Sequence, residues 1–470
     1  MNKALSVSTV IACAGLVLAG VAVSPAQAAG QAGQLDASFG RGGIVKTALT
    51  GTDMSTGGKS IVQADGKTLA TGEQWFGPQF VPALVRYNVD GSLDQSFGFG
   101  GTASISLGKQ AASVAGTVQT PDGGYLVVAT NMQGTSETPE NRVITIRLTK
   151  DGKLDQRYGT NGIAIAKPQL PAGSDVVAAD VESVGHGKVV IAVSVLRGDT
   201  GQAQSGVMRL SSTGAVDSSY GASGLALLPS GTTFGVRALA ADSQGRIGLA
   251  GGVLRTEDPE DDTTAAAVAR LTKDGAVDTS FGTDGIAKNA DGFSNFAMDL
   301  AIDTNDRLVT AGYVQSNEDG RAAFEVTRRL PDGSPDQRFA KEGVGTYQIT
   351  DAEDVASSVH LDRTGRILVG GTQWAQTPDF RALTSRDLPV AAARMKAPNQ
   401  LERNGFEALR ITGDGKPDAS FGTDGHVVTK PDSGAAVFSI GTTPAGGVQL
   451  SGFSFDEGLT YRFTTVRYLG

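Results

Sequence analysis

The stretch LDQSFGFGG, residues 93–101, recurs in recognisable form seven times along this sequence. Every copy has an aspartate, an aromatic residue three positions after it and a glycine seven positions after it. The seven aspartates are Asp36, Asp94, Asp155, Asp217, Asp278, Asp336 and Asp418. They are 58 to 62 residues apart, except for a spacing of 82 before the last. Self-similarity at a nearly fixed period is the signature of repeat architectures, so one structural unit is repeated seven times.

Two further elements keep the same phase as this motif. One is a pair of short apolar runs around a tight turn, as at Asp65-Gly66, and such turns favour antiparallel hairpins. The other is an alternating run that ends in arginine, which predicts a half-buried strand. The arginines are Arg86, Arg147, Arg209, Arg270, Arg328, Arg410 and Arg467. With the short strand after each motif, every repeat has four strands: A and B in the hairpin, C with the arginine, and D.

Four antiparallel strands in a repeat of about sixty residues are typical of a β-propeller blade. The sequence opens with a motif and a D strand, and it ends at Gly470, just after a C strand. The missing D strand of the last blade is therefore the first strand of the chain. We predict an all-β, seven-bladed β-propeller, closed when the N-terminal strand joins the C-terminal blade.

The strand-C arginine precedes the motif aspartate by eight residues in six repeats, and Arg467 would find its partner Asp36 only through closure. A guanidinium can bind a carboxylate through two parallel hydrogen bonds. We therefore predict a structural ion pair in each blade, with Arg467 and Asp36 fastening the ring. The alternative is a ring of ligand-binding carboxylates. The motif aromatics, such as Phe97, are expected to fill the gaps between blades.

The motif, the hairpin and the arginine strand together resemble the delta-60 repeat family of bacterial propeller-forming repeats. The resemblance covers nearly all of residues 35–470, with departures at Ala340, which replaces a glycine, and at 185–187, where Gly-His-Gly replaces an Asp-Gly turn. It implies the propeller fold and carries no established activity.

The first 28 residues are typical of a secretory signal peptide. Lys3 supplies a positive start, residues 4–23 are apolar or small, and Ala26-Gln27-Ala28 gives the cleavage pattern. We predict a signal peptide at 1–28 and a single propeller at 29–470, secreted and with possible retention at the cell surface. A retained membrane anchor and a lipoprotein site at Cys13 are alternatives. Because Cys13 is the only cysteine, the mature protein would contain no disulfide.

The formal net charge of −9 disfavours partners such as nucleic acid or an anionic membrane. The three histidines fall in different repeats without metal-ligand spacing, and no catalytic constellation is evident. Gly58-Lys59-Ser60 resembles the end of a phosphate-binding loop, but Asp53 occupies the required first glycine and strand A follows. We expect a monomer without cofactor or metal.

Recognition is expected on the face that carries the B–C and D–A connections, because these vary in length while the A–B and C–D connections carry the repeated motifs. The candidate ligand-binding residues are Trp75, Trp374, Arg381, Arg386 and Arg394, and the alternative for the two tryptophans is partial burial beneath the loops. The three arginines belong to an insertion at about 376–403, which is either a lid or partner loop or a tolerated surface insertion. An acidic loop at 257–262 is expected to be solvated, with calcium binding as the alternative.

Two functions from different classes remain. The first is a non-enzymatic extracellular binding or interaction module whose partner is a protein or a glycan. The second is a hydrolase or lyase that acts on an extracellular polymer through carboxylates in the central channel. Two nearby carboxylates in a solvent-connected pocket would favour the enzyme. A channel lined by hydroxyls, amides and small residues would favour binding.

Overall fold

The computed structural model describes residues 30–52, 54–77, 79–108, 110–132, 141–200, 202–255, 263–289, 294–316, 320–374 and 404–470. The predicted signal peptide, the insertion at 376–403 and the acidic loop at 257–262 lie outside these residues. The described residues from Gln31 onward belong to one compact unit. Over the described ranges there is no helix with the length and apolarity needed to cross a membrane.

The described chain contains 28 strands. The strands are β1 (Ile44–Thr47), β2 (Met54–Val62), β3 (Thr68–Phe76), β4 (Gln79–Tyr87), β5 (Thr102–Ser104), β6 (Ala111–Gln119), β7 (Tyr125–Met132), β8 (Arg142–Leu148), β9 (Ile163–Ile165), β10 (Asp175–Ser183), β11 (Val189–Leu196), β12 (Ala203–Leu210), β13 (Leu225–Leu227) and β14 (Phe234–Ala241). They continue with β15 (Ile247–Leu254), β16 (Thr264–Leu271), β17 (Ile286–Asn289), β18 (Ser294–Ile302), β19 (Leu308–Gln315), β20 (Ala322–Arg329), β21 (Val344–Tyr347), β22 (Glu353–Leu361), β23 (Ile367–Trp374), β24 (Gly405–Ile411), β25 (His426–Thr429), β26 (Gly434–Thr442), β27 (Val448–Phe455) and β28 (Tyr461–Tyr468).

These strands form seven antiparallel sheets of four, which confirms the predicted fold. Blades 1 to 6 are β2–β5, β6–β9, β10–β13, β14–β17, β18–β21 and β22–β25. Blade 7 has the order β1-β28-β27-β26, so its outer strand comes from the start of the chain. Each strand A contacts strand A of the next blade all the way round, so the A strands line the central axis.

The seven motif aromatics fill the gaps between blades, as predicted. Each of them is buried, and the most exposed keeps 7% of its surface. They are Phe39, Phe97, Tyr158, Tyr220, Phe281, Phe339 and Phe421. The close approach of the next blade is visible at Gly152, where a Cβ would lie 2.7 Å from the Phe97 ring. The recurrent aromatic is therefore a core residue that joins neighbouring blades.

Five of the seven predicted ion pairs are confirmed, with the arginine Nε 2.7 to 3.0 Å from the aspartate Oδ2. They are Arg86–Asp94, Arg209–Asp217, Arg270–Asp278, Arg328–Asp336 and Arg410–Asp418. In four of these blades a second cation from the A–B turn approaches the same Oδ2. These cations are Lys67 at 2.8 Å, Lys188 at 2.8 Å, Arg307 at 3.5 Å and Arg366 at 3.7 Å. In these four blades the motif carboxylate thus lies between two cations.

The predicted pair between Arg147 and Asp155 in blade 2 is wrong. Arg147 binds Asp122 of the A–B turn instead, with Nη2 2.6 Å from Oδ1. Asp155 is bound by the exposed side chain of Arg157, at 2.9 Å. Both pairs of blade 2 are therefore local and largely solvent-exposed.

The predicted ion pair between Arg467 and Asp36 is also wrong. Arg467 donates from Nε and Nη2 to Oε1 of Gln449, at 3.2 and 2.9 Å. Gln449 lies directly opposite Arg467 on β27, where the other blades carry an aliphatic residue or glycine. The carboxylate of Asp36 accepts instead from the backbone and hydroxyl of Ser38.

Both exceptions share one local difference. The A–B turn position that carries Lys or Arg in the other five blades is Gly124 in blade 2 and Gly447 in blade 7. Blade 4 keeps its pair although Arg246 of its turn binds Asp242, so a second cation on the motif carboxylate is not required for pairing. In blades 2 and 7 the strand-C arginine binds a different neighbour, Asp122 or Gln449.

Closure of the ring depends on backbone pairing and on one cation–π contact. β1 pairs antiparallel with β28, with Ile44 opposite Val466. The Asp36 amide donates to the Arg467 carbonyl at 2.9 Å. The Arg467 guanidinium lies 3.8 Å from the centroid of the Phe39 ring, and five other blades repeat this stacking. The first strand therefore closes the ring without the predicted salt bridge.

Candidate functional site: the central channel

The A strands present one ring of equivalent residues to the channel. Each A strand has a β-bulge, which breaks the regular alternation and turns the next side chain. The residues that follow the bulge are Ser60, Gly116, Asp180, Ala238, Asp299, Ser358 and Ser439. Six of them, all except Ala238, line a pocket of about 180 Å³. This pocket therefore lies on the axis of the ring.

The polar members of this ring hold neighbouring inner strands together. Asp180 Oδ2 accepts from the Leu239 amide at 3.1 Å, and Asp299 Oδ2 accepts from the Val359 amide at 2.9 Å. The hydroxyl oxygens make equivalent bonds. The Ser358 Oγ accepts from the Ile440 amide at 3.2 Å, and the Ser439 Oγ accepts from the Ser60 amide at 2.9 Å. Both carboxylates of the pocket thus serve the assembly of the ring.

Lys59 reaches across the channel from blade 1 to blade 3. Its Nζ lies 2.6 Å from Asp180 Oδ1, and its side chain keeps 41% of its surface accessible. Gly116 of the intervening blade leaves the necessary room, because a Cβ there would lie 3.0 Å from Val181 Cγ1 and 3.6 Å from Asp180 Oδ1. The ammonium is enclosed by protein while remaining in contact with solvent, so the pocket is open.

The charged groups of the channel change one another's pKa values. Burial would lower the pKa of Lys59, but Asp180, Asp299 and Glu182 outweigh that effect and raise it. Burial, with the charge of Asp180, raises the pKa of Glu182 to about 7. Burial also raises the pKa of Asp299, opposed by Lys59. Lys59 is therefore the fixed cation of the site, and Glu182 is a carboxyl that can exchange a proton near neutral pH.

The rest of the pocket wall combines hydroxyl groups with one aromatic ring. Thr71, Thr117, Ser60, Ser358 and Ser439 line it together with Phe438. The Oγ1 atoms of Thr71 and Thr117 have no hydrogen-bond partner within the described structure. A wall of hydroxyls, one ammonium and one ring is suited to a small polar ligand. Nowhere in the described ranges do three or more His, Cys, Asp or Glu side chains group so as to hold a metal ion.

The tryptophans predicted to bind a ligand are packed inside the protein. Trp75 retains 4% of its surface and stacks on Phe80, with ring centroids 4.4 Å apart. Trp374 retains 7% and packs in a cluster with Phe296 and Phe453. Neither indole therefore presents its ring to solvent. Arg381, Arg386 and Arg394 lie outside the described residues, and binding by them stays a prediction.

A second carboxyl pair is closed to substrates. Asp354 and Glu407 are both fully buried. Asp354 accepts hydrogen bonds from the backbone amides of Ile349 and Thr350, which fixes the loop before β22. Burial beside Asp354 raises the pKa of Glu407 well above its usual value. Glu407 is thus a buried core carboxyl whose surroundings disfavour its charged form.

Glu73 is expected to make stability depend on pH. Burial raises the pKa of Glu73 from 4.5 to about 7, against hydrogen bonds from Ser113 and Val114 that lower it. The folded state holds this proton more tightly than the unfolded chain, so stability falls as pH rises from 4.5 to about 7, by about 3 kcal/mol at most. Glu73→Gln should remove this part of the pH dependence and stabilise the protein at neutral pH.

Denaturant unfolding at about pH 4.5 and about pH 7.5 measures the effect of Glu73. Glu457→Gln, at an exposed position, is the matched control. An equal pH dependence in the native chain and in Glu73→Gln would contradict the assignment.

Sequence reasoning did not find the channel residues. Lys59 lies in the segment that resembles an incomplete phosphate-binding loop, and its partner Asp180 is 121 residues away. The only local signal is Gly57-Gly58, which interrupts the alternation of strand A where the bulge occurs.

Comparisons with known proteins agree with this fold. The family model described as "Domain of unknown function (DUF5122) beta-propeller" matches residues 63–97 and 245–281. These stretches are the same part of blades 1 and 4, from the A–B turn to the motif aromatic. The chain is therefore similar to a β-propeller repeat family over two short segments. No curated protein matches it.

Solved structures that resemble the chain do so only distantly. A protein of unknown function from Dyadobacter fermentans is 11% identical, with a TM-score of 0.44, over 76% of this chain and 95% of that one. The polysaccharide lyase Uly1 is 10% identical, with a TM-score of 0.47, over 90% and 91%. Sqt1 from Chaetomium thermophilum is 12% identical, with a TM-score of 0.40, over 91% and 100%. At these values the likenesses carry no argument about activity.

Proposed function

We propose that this protein is a secreted, non-enzymatic binding protein. Its ligand is an extracellular glycan or protein that contacts the face carrying the B–C and D–A connections. The channel pocket binds a polar group of this ligand. The hydrogen bonds that the two pocket carboxylates make within the protein support the proposal. Asp180 and Asp299 both accept backbone amides of the next blade, and Asp180 also binds Lys59. Both carboxylates are thus engaged in holding neighbouring blades together. The signal-like N-terminus supports secretion.

We infer further that the blades are delta-60 repeats. Motif, hairpin and arginine strand recur in the same order in all seven blades, and the structure gives each a definite role. The matched β-propeller family supports the wider class.

The second candidate is a hydrolase or lyase acting on an extracellular polymer. Two observations favour it. Asp180 and Asp299 line the same open pocket, which is the arrangement expected for an enzyme. Glu182, whose charge interactions include Asp180, Asp299 and Lys59, has a pKa raised to about 7. A carboxyl of this kind is suited to donate or accept a proton at neutral pH.

Recovery of ligands from extracellular material by the immobilised protein tests the binding function. We expect Lys59→Met to reduce recovery strongly, because it removes the cation of the pocket. Lys46→Met is the matched control, since Lys46 pairs with Asp432 on the outside of blade 7. A variant without residues 376–403 tests the insertion separately. Equal recovery by the native chain and Lys59→Met would remove the pocket from the binding function.

Turnover assays on the same extracellular material separate the two candidates. Release of reducing ends would report hydrolysis, and appearance of an unsaturated product would report lyase activity. We expect neither. Product formation that is abolished in Glu182→Gln would contradict the non-enzymatic function and establish the second candidate.

A further inference from the structure

The boundary between blades 4 and 5 contains a cavity of about 1090 Å³ near the outside of the ring. It runs along the outer edge of blade 5, where strands C and D, the end of β19 and the turn after β20 line it, and it reaches Lys288 and Asn289 at the end of β17 on one side and Gly415 of blade 6 on the other. The volume is sufficient for a small organic ligand. The channel pocket shares none of its lining residues.

Arg329 is the unusual residue of this cavity. It follows the strand-C arginine, and the equivalent residues Leu148, Leu210, Leu271 and Ile411 of other blades are aliphatic. Arg329 is only 7% exposed. Its Nη1 donates to the Gly333 carbonyl at 3.0 Å, and within the described residues it makes no other hydrogen bond and no ion pair. A buried guanidinium without an anionic partner is unfavourable.

In blades 1 and 7 the residue that follows the strand-C arginine is a tyrosine, and its hydrogen bond shows which residue of the preceding blade Arg329 faces. Tyr87 bonds to Thr47 at 2.9 Å and Tyr468 bonds to Thr429 at 2.8 Å, each on strand D of the preceding blade. Asn289 occupies the corresponding position opposite Arg329 and is also 7% exposed. Its Nδ2 lines the cavity boundary without a partner in the described structure. Arg329 and Asn289 therefore bring two donor groups of low exposure to the cavity wall, and neither has an anionic acceptor within hydrogen-bond distance in the described structure.

The carboxylates that line the cavity do not supply this acceptor. Burial lowers the pKa of Arg329 and the charge of Glu325 on the same strand partly opposes this, but Glu325 forms no ion pair with Arg329 in the described structure. Both of its oxygens accept from Asn295 Nδ2, at 3.2 and 3.1 Å. Glu342 is exposed. Lys288 and Lys341, which also line the cavity, add positive charge at its exposed edge.

From these contacts we propose that the cavity between blades 4 and 5 binds a small organic anion, whose oxyanion group takes hydrogen bonds from the guanidinium of Arg329 and the amide of Asn289. A guanidinium presents a planar fork of donors that matches a carboxylate, sulfate or phosphate group. The rest of the cavity accommodates the body of the ligand. This site is additional to the proposed channel pocket and does not depend on it.

Calorimetric titration of the full-length protein at constant ionic strength tests the proposal. The probes are inorganic sulfate, inorganic phosphate and D-glucuronate, with D-glucose as the neutral counterpart of glucuronate. We expect saturable binding of at least one anion and none of glucose. Arg329→Leu should weaken this binding about tenfold or more, because charge-assisted hydrogen bonds are lost. Arg329→Lys, which keeps the charge but loses the fork, should have an intermediate effect.

Folding is controlled in the same experiment. Leucine is the equivalent residue in blades 2 to 4, so the unfolding temperature of Arg329→Leu should equal or exceed that of the native chain. Arg363→Leu removes the same charge from an exposed turn and should bind like the native chain. Absence of binding by all three anions, or unchanged binding by folded Arg329→Leu, would overturn the proposal. The sulfate, phosphate and glucuronate arms identify the preferred oxyanion.

Discussion

Replacement of Arg86 by methionine is expected to lower the free energy of unfolding by about 3 to 5 kcal/mol, the usual cost of breaking a buried ion pair from one side. Arg86 lies 2.7 Å from Asp94, donates to the Lys150 carbonyl of the next blade at 2.6 Å and stacks on Phe97. Asp94 is 4% exposed and would keep only Lys67 as a cationic partner. One substitution thus disturbs the blade and its contact with its neighbour.

The same substitution at Arg147 should cost about 1 kcal/mol or less, because its partner is exposed and such pairs contribute little. The side chain of Asp122 keeps 59% of its surface accessible. Denaturant unfolding of the two variants gives the comparison directly. Similar losses for Arg86→Met and Arg147→Met would contradict the distinction between the blades.

The fold could be predicted from the sequence because the local motifs that determine each blade are repeated seven times. The motif, the hairpin and the arginine strand recur in the same order in every repeat. Each determines the local backbone conformation, through turn residues or through alternation of apolar and polar residues. The seven sheets and the completion of blade 7 by β1 therefore follow from the sequence. Burial of motif aromatics such as Phe97 follows in the same way.

The failed ion pairs show the limit of the repeat as a guide. Arg147 and Arg467 have the same spacing to a motif aspartate as the others once the ring is closed. They bind Asp122 and Gln449 instead, near the turn glycines Gly124 and Gly447. These neighbours were visible in the sequence, but their contacts with the arginines exist only in three dimensions.

The candidate sites could not be predicted for a different reason. The channel pocket is assembled from six blades, and a bulge in each A strand sets which side chain faces the axis. Period-two alternation does not locate bulges. The anion cavity depends on Arg329 and Asn289, two departures from the repeat on different blades. Such departures are visible in the sequence only after the register of the blades is known.

Removal of residues 31–50 is expected to abolish cooperative folding. This deletion removes β1 together with Phe39, whose ring stacks under Arg467. β28 would become an exposed edge, which invites aggregation. The channel pocket and the cavity between blades both require the closed ring, so binding at either should be lost with it.

The junction at Gly470 allows a matched control. The amide of Gly33 donates to the Leu469 carbonyl at 2.8 Å, and Gly33 has φ +87°. The continuous turn of blade 1 has the same geometry, because the amide of Gly91 donates to the Asn88 carbonyl at 2.9 Å and Gly91 has φ +83°. Joining Gly470 directly to Ala32 reproduces the eight-residue spacing from arginine to aspartate. A permuted chain can therefore begin at Gly51, which is exposed, and carry residues 32–50 after Gly470.

Equilibrium unfolding of this permuted chain, beside the deletion variant and the native chain, tests the closed ring most directly. We predict one cooperative transition for the permuted chain, with a free energy of unfolding within about 1 kcal/mol of the native value, and none for the deletion variant. A deletion variant that unfolds like the native chain would contradict closure by the first strand.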